Sequence, residues 1–177
     1  HAATDGRTPM STAKLNSKNP KRKRAPRRNT YHHGDLREAF MAAALAAIAR
    51  DGVASVSLRE LARELGVSHS APAHHFPDRI ALFTALAAAG FDGVHARMSQ
   101  AIAAAANTPA ARLSAAGQGY VMFAAENAAC FEVMFHPKLL RNDNPALATA
   151  RNHASRVLQE AISALHGDKR DKRKKSA

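Results

Sequence analysis

The chain has 177 residues, a net charge of +12 and a single cysteine. That length is enough for one domain with a real core, or for a small domain docked on a larger one. The abundance of alanine, the scarcity of aromatic residues and the lack of β-branched runs between turn signals favour an all-α fold. One cysteine excludes an intrachain disulfide and a cysteine-based zinc cage, which agrees with a reducing compartment.

Hydropathy points to a cytoplasmic protein with no membrane partner. No apolar run approaches the ~20 residues of a membrane span. The start of the chain also lacks the basic, then apolar, then small-residue layout of a signal peptide.

The positive charge is concentrated at the two ends of the chain. Residues 1–30 carry nine Lys or Arg and one Asp, residues 168–177 carry six and two, and the segment between them is neutral. We expect residues 1–30 to form a disordered basic arm, because this composition cannot bury apolar surface. Alone, such an arm would only aid solubility. Beside a DNA-binding motif, it could follow phosphates or enter the minor groove. Residues 167–177 are expected to be a solvated basic tail.

Residues 57–68 predict a short amphipathic helix, a glycine turn and the start of a second helix. The apolar residues recur at i, i+3, i+4 and i+7, which is one face of a helix with 3.6 residues per turn. Ser57 and Glu60 have the spacing of a capping box, and Gly66 permits the left-handed conformation that ends a helix. After a first helix from Asp35 to Gly52, this is the pattern of a helix-turn-helix, whose second helix lies in a DNA major groove.

The third helix is predicted to begin near Ser68 and to stop before Pro77. Pro72 conflicts with this start, because it lacks the N–H that should bond the Ser68 carbonyl. If Ser70 caps the helix instead, Pro72 falls at its second position and costs little. We therefore expect a recognition helix with a distorted or delayed first turn.

Four further helices follow, so residues 31–80 are predicted to be a three-helix DNA-binding domain and residues 81–166 a helical C-terminal domain. Their boundaries come from capping residues, prolines and glycines. The four are expected from Asp78 to about Ala106, from Thr108-Pro109 onward, from residue 128 to 135, and from Asn144-Pro145 to Gly167.

The helices and their connecting segments resemble the TetR family of bacterial transcriptional regulators. The resemblance covers roughly residues 31–95, and the region around residues 119–135 also looks like the effector-domain helices of one branch of that family. The matching segments are the helix ending in Asp51-Gly52, then Val56-Ser57-Leu58-Arg59-Glu60-Leu61-Ala62, Leu65-Gly66-Val67-Ser68, His74-His75-Phe76-Pro77-Asp78-Arg79 and Leu82-Phe83.

The resemblance implies a nucleoid-associated homodimeric repressor without a cofactor. It would read a near-palindromic double-stranded DNA operator through its third helix and release it when a small-molecule effector enters the C-terminal effector and dimerisation domain. Family members usually place an aromatic residue where Ala73 stands, so weaker DNA binding is expected. They also continue with two helices that build the dimer bundle, whereas this helical pattern ends near Leu165, so the C-terminal domain is expected to be shortened.

The candidate DNA contacts follow from these positions. Ser57, at a helix start, is expected to present its hydroxyl and nearby backbone N–H groups to a phosphate, with a plain helix cap as the alternative. Arg79 matches a basic position that contacts phosphate, and Phe76 is expected in the core. The full set is Ser57, Ser68, His69, Ser70, His74, His75 and Arg79, with Arg27 and Arg28 of the arm.

Soft and aromatic side chains in the C-terminal helices are candidates for a ligand pocket, with an ordinary helical core as the alternative. They are Phe91, Met98, Tyr120, Phe123, Phe131 and Met134.

A metal site and an active site are both disfavoured. His69 and His74 are five residues apart, which does not suit paired ligands on a helix. No nucleophile, base and orienting acid group together, and there is no glycine-rich phosphate loop, so the sequence does not indicate an enzyme.

Two other functions remain open beside that of an operator-binding regulator. One is a shortened relative that binds nucleic acid non-specifically through its basic ends. The other is a helical module that binds a small molecule or a protein and does not recognise an operator.

Overall fold

A computed structural model describes residues 33–136 and 138–175, with side chains described for residues 36–136 and 138–167. This part of the chain contains six α-helices, two 3-10 turns and no strand, which confirms the all-α prediction. Arg27 and Arg28 lie outside the described residues. The helices are α1 (His33–Asp51), α2 (Leu58–Glu64), α3 (Arg79–Ala104), α4 (Pro109–Glu126), α5 (Ala128–Met134) and α6 (Pro145–Lys175), and the 3-10 turns are Val53–Ser55 and Ala71–His74.

Helix α3 connects the N-terminal helices to the C-terminal helices. Its 26 residues span about 39 Å at 1.5 Å per residue. It contacts α1 near its start and packs along its length against α4, α5 and α6. One contiguous apolar core therefore runs from Phe40 in α1, through Leu86 and Val94 in α3, to Leu147 and Ala154 in α6.

Two glycines let neighbouring helices approach α3 closely. A Cβ built on Gly119 of α4 would lie 2.9 Å from the backbone oxygen of Arg97 and 3.0 Å from Cα of Met98. A Cβ on Gly90 of α3 would lie 2.5 Å from Sδ of Met134 in α5. The Gly119 contact is with backbone, which cannot move aside, so only glycine fits there.

The predicted helix starts in the C-terminal half are confirmed. Asp78 Oδ1 accepts a hydrogen bond from the Ala81 N–H at 2.8 Å and caps α3. Thr108 Oγ1 accepts from the Ala111 N–H at 3.2 Å, and the proline after it is the first residue of α4. Asn144 Oδ1 accepts from Leu147 N–H at 3.0 Å at the start of α6.

The predicted capping box at the start of α2 is wrong. The side chain of Ser57 caps no backbone N–H. Glu60 instead accepts a hydrogen bond from Arg63 Nε at 2.8 Å, three residues along the same helix. Glu60 therefore pairs with Arg63 in the next turn and does not bond a backbone N–H at the helix start.

The predicted bounds of the first and last helices also need correction. α1 begins at His33, two residues before the expected start at Asp35. α6 does not stop at Gly167 but continues to Lys175. A glycine ends a helix when it adopts positive φ, and within the described residues only Gly52 and Gly66 do so. Six lysine and arginine residues follow Gly167, and both residue types are good helix formers.

Arg141 ties the connection between α5 and α6 to the start of α3. Its backbone N–H donates to Thr84 Oγ1 at 3.0 Å, and that hydroxyl donates to the Ile80 carbonyl at 2.7 Å. Its guanidinium donates to Asp78 Oδ2. Thr84 is only 3% exposed, so the first bond is shielded from water. Asp78 thus both caps α3 and holds the loop that leads into α6.

The close approach at Gly119 can be tested with a matched pair of substitutions in α4. Gly119→Ala is expected to lower the free energy of unfolding by about 1–3 kcal/mol, because the added methyl group meets backbone. Gly117→Ala is expected to raise it by about 0.5–1 kcal/mol, because alanine is the better helix former and no atom lies within 4 Å of its Cβ. Urea unfolding followed by circular dichroism measures both, and equal effects would contradict the close approach.

The double role of Asp78 gives a second stability prediction. Asp78→Ala is expected to lower the free energy of unfolding by about 1–2 kcal/mol, because the cap and the partly exposed ion pair are both lost. Asp78→Asn keeps a capping oxygen and should recover most of this loss. Thr108→Ala, which removes only a helix cap, is the control and should lower the free energy of unfolding by about 0.5–1 kcal/mol. Thermal unfolding measures all three, and Asp78→Asn as unstable as Asp78→Ala would contradict the capping role.

Candidate nucleic-acid interface

A glycine turn ends α2 and directs the chain into the following segment. Gly66 has φ of 67°, its N–H donates to the Arg63 carbonyl at 3.2 Å, and the Val67 N–H donates to the Ala62 carbonyl at 3.0 Å. These two bonds are the Schellman motif, which satisfies carbonyls that the helix end leaves open. The predicted turn of the helix-turn-helix is therefore present.

The segment after this turn is not the α-helix that the sequence predicts. Residues 68–76, here called the recognition turn, contain only the 3-10 turn Ala71–His74. The Ala71 N–H bonds the Ser68 carbonyl at 3.0 Å, an i to i+3 bond. Pro72 has no N–H to bond the same carbonyl in the α-helical way. The conflict expected at Pro72 thus affects the whole element and not only its first turn.

Two apolar residues attach the recognition turn to the rest of the domain. Pro72 is buried, and Phe76 is 1% exposed, as predicted for a core residue. The Phe76 ring meets the Phe40 ring of α1 edge-on, with centroids 6.5 Å apart and planes at 81°. The guanidinium carbon of Arg37 lies 5.3 Å from the centroid of the Phe76 ring. The turn is therefore fixed by packing against α1.

Four of the predicted contact residues in the recognition turn are exposed: Ser68, His69, Ser70 and His74. Oγ of Ser68 and Oγ of Ser70 are 3.2 Å apart and share a hydrogen bond. His75 is half-buried, and its ring centroid is 6.5 Å from that of Phe76. In the described part of the chain, no group of three or more metal-binding side chains is found here or elsewhere.

Ser57 and Arg79 lie at a second edge of the domain. Nη1 of Arg79 is 3.4 Å from the carbonyl oxygens of both Ala54 and Val56, in the segment that leads into α2. Its guanidinium carbon is 5.6 Å from the centroid of the Phe83 ring. Ser57 follows Val56 directly and is half-buried. Arg79 therefore holds its charge beside the helix start that carries Ser57.

Arg59 is a further basic residue at this helix start and was not among the residues predicted to contact DNA. It is exposed, and no acidic group within the described residues lies within 4 Å of it. The other arginines nearby are already paired: Arg63 with Glu60, and Arg50 with Asp51, whose hydrogen bond raises the pKa of Arg50. The position of Arg59 in the first turn of α2 was the signal that could have identified it.

The six candidate pocket residues do not share one cavity. Phe91 and Met134 line an open cleft between α3, α5 and α6. Met98 is buried in the core, and the Phe131 ring packs edge-on against Tyr120 with centroids 5.6 Å apart. The Phe123 ring packs against the α3 backbone at Gly93. Among the described helices, none is long and apolar enough to span a membrane.

Comparisons with known proteins agree with this architecture. A solved protein of unknown function from Rhodococcus sp. RHA1 is similar at 37% identity with a TM-score of 0.65, and the match covers 77% of this chain and 72% of that one. The TetR family transcriptional regulator PfmR from Thermus thermophilus is similar at 20% identity with a TM-score of 0.60, over 71% of this chain and 69% of that one. No match was found among curated proteins.

Residues 40–86 match the sequence model described as bacterial regulatory proteins, tetR family. The matched range contains most of α1, all of α2, the recognition turn and the first turns of α3. These are the elements that build the helix-turn-helix and its exposed polar surface. The chain therefore contains a DNA-binding domain of the TetR family, which supports a DNA-binding transcriptional regulator.

Proposed function

We propose that this regulator is a cytoplasmic, nucleoid-associated repressor that binds a near-palindromic operator as a homodimer and releases it when a small-molecule effector binds the C-terminal helices. The observation that carries the proposal is the recognition turn, which exposes four hydrogen-bonding side chains while Pro72 and Phe76 hold it against the core. Side chains of this kind bond base edges and phosphates.

Selectivity and affinity would come from different residues. The recognition turn contains no Lys or Arg, so base selection would depend on short polar side chains such as His69 and Ser70. Phosphate contacts would come from Arg79, Arg59 and Ser57 at the start of α2, and from Arg27 and Arg28 of the basic arm. Because phosphate contacts release counterions, this second group would give the binding its salt dependence.

The loop before α6 supports regulation by an effector, because two adjacent residues in it contact the two halves of the protein. Arg141 contacts Thr84 in the second turn of α3 and Asp78 at its start. Asp78 lies two residues after Phe76, the last residue of the recognition turn. Asn142 Oδ1 accepts a hydrogen bond at 2.9 Å from Nη1 of Arg151 in α6. A ligand that moves α6 would therefore pull on the residues that follow the recognition turn.

Fluorescence anisotropy with DNA from upstream of the encoding gene, and with scrambled DNA, tests operator recognition at two salt concentrations. The wild type is expected to prefer the upstream DNA by at least about a thousandfold. Replacing both His69 and Ser70 by Ala should lower this preference by about tenfold to a hundredfold without changing the salt dependence, because base contacts are lost. Arg79→Ala should weaken both complexes alike and reduce the salt slope by about one.

Gln118→Ala, on the exposed surface of α4, is the control and should change neither quantity. Equal, salt-sensitive binding of both DNAs would contradict operator recognition and favour a non-specific binder that uses its basic ends. Absence of binding to either DNA would favour a helical module for a small molecule or a protein.

The homodimer has a separate test. Size-exclusion chromatography with light scattering is expected to give twice the chain mass of 18.9 kDa, because two copies are needed to occupy the two half-sites of a near-palindrome. A mass of one chain at micromolar concentration, with operator binding retained, would contradict this part of the proposal.

A further inference from the structure

A cleft outside the DNA-binding surface has the lining of a ligand site. It lies between α3, the end of α5 and α6, and its volume is about 370 Å³. That volume is in the range of small-molecule pockets. Its walls are formed by Phe91, Met134, Phe135, His136, Asn142, Arg151 and Ser155.

The lining of this cleft contains one fixed positive charge and no carboxylate. Arg151 is half-buried, its Nη1 donates to Asn142 Oδ1, and its guanidinium carbon lies 5.5 Å from the centroid of the Phe91 ring. No acidic group of the described chain lies within 4 Å of it, whereas Arg50, Arg63, Arg97 and Arg141 each have such a partner. A guanidinium has five N–H donors. Arg151 is therefore held in position with donors and charge available to an anion.

A second observation also points to a ligand in this cleft. Nδ1 of His136 is buried and is the one buried side-chain nitrogen or oxygen without a hydrogen-bond partner among the described residues. A buried polar atom without a partner destabilises the folded protein. A polar group of a bound molecule would supply that partner.

Part of the cleft lining is apolar. The Phe91 and Phe135 rings meet edge-on, with centroids 5.6 Å apart and planes at 70°. Phe135 is 52% exposed although it is a large apolar side chain. A ligand with an apolar body would cover this ring and gain the free energy of its burial.

We propose that the cleft binds a small monocarboxylate with an aromatic or branched apolar body, and that Arg151 is the counter-ion of its carboxylate. The planar fork of a guanidinium matches a carboxylate in a bidentate pair. A single unpaired cation balances one negative charge and would leave a doubly charged phosphate uncompensated. The inference rests on the proposed function in one respect, since the ligand would be the effector that releases DNA.

Two other grooves fit an anion less well, because each contains charges of both signs. The groove between α1, α3 and the loop before α6 includes Asp92, and its Arg141 is already paired with Asp78. The groove between α3, α4 and α6 includes both Arg112 and Glu160. Neither offers an unpaired cation beside an unpartnered buried atom.

Ligand-observed NMR on the full chain without DNA tests the proposal with benzoate and 3-methylbutanoate as probes. Both are expected to bind, and the neutral benzamide is expected to bind at least about tenfold more weakly than benzoate. Arg151→Gln should weaken benzoate by about tenfold or more. Arg151→Lys keeps the positive charge but not the planar guanidinium. Its affinity for benzoate should lie between those of the wild type and Arg151→Gln. Arg156→Gln, at an exposed position of the same helix outside the cleft, should not change the affinity.

Thermal unfolding confirms that each variant is folded before it is compared. Benzamide binding as tightly as benzoate, benzoate affinity unaffected by Arg151→Gln in a folded variant, or failure of both carboxylates to bind at millimolar concentration would each overturn the proposal. Because binding is measured without DNA, a protein that recognises no operator would still give a result. Benzoate that binds through Arg151 without lowering DNA affinity would support the cleft and contradict effector-controlled release.

Discussion

The position of the recognition turn depends on the packing of Phe76 against α1. A 3-10 turn has few hydrogen bonds of its own, and an element this short is not stable without tertiary contacts. The edge-on contact with Phe40 and the guanidinium of Arg37 over the Phe76 ring therefore determine where the recognition turn lies. Because Ser70 and His74 lie within six residues of Phe76, the burial of that one ring positions the polar side chains that face solvent. The rigidity of the surface comes from the core and not from helix propensity.

Most of the fold could be predicted from the sequence because its signals act over a few residues. Thr108 followed by a proline, and Asn144 followed by another, each give an oxygen at the N-cap and a residue with fixed φ at the first helical position. Both start helices in the structure. Gly52 and Gly66 adopt the positive φ that ends α1 and α2. Such features depend on the local backbone alone, so one sequence is enough to place them.

The incorrect predictions concern residues with more than one possible partner. Glu60 could bond the helix start or the arginine in the next turn, and the spacing alone did not show that Arg63 would hold it. Gly167 has the residue type of a helix end but remains helical. Phe91 and Met134 were predicted as pocket residues, but the charged part of the cleft could not be predicted, because Phe91 and Arg151 are sixty residues apart in sequence and only the packing of α3 against α6 brings them together. His136 and Asn142 carried no local signal for the same reason.

The backbone contact at Gly119 restricts how the C-terminal helices can move. If α4 slid by about one turn along α3, a residue three or four positions from Gly119, such as Ala116 or Phe123, would stand over the Arg97 carbonyl, where there is no room for a Cβ. α3 and α4 therefore keep one fixed register against each other. A rearrangement of the C-terminal helices would therefore have to move α3 and α4 together.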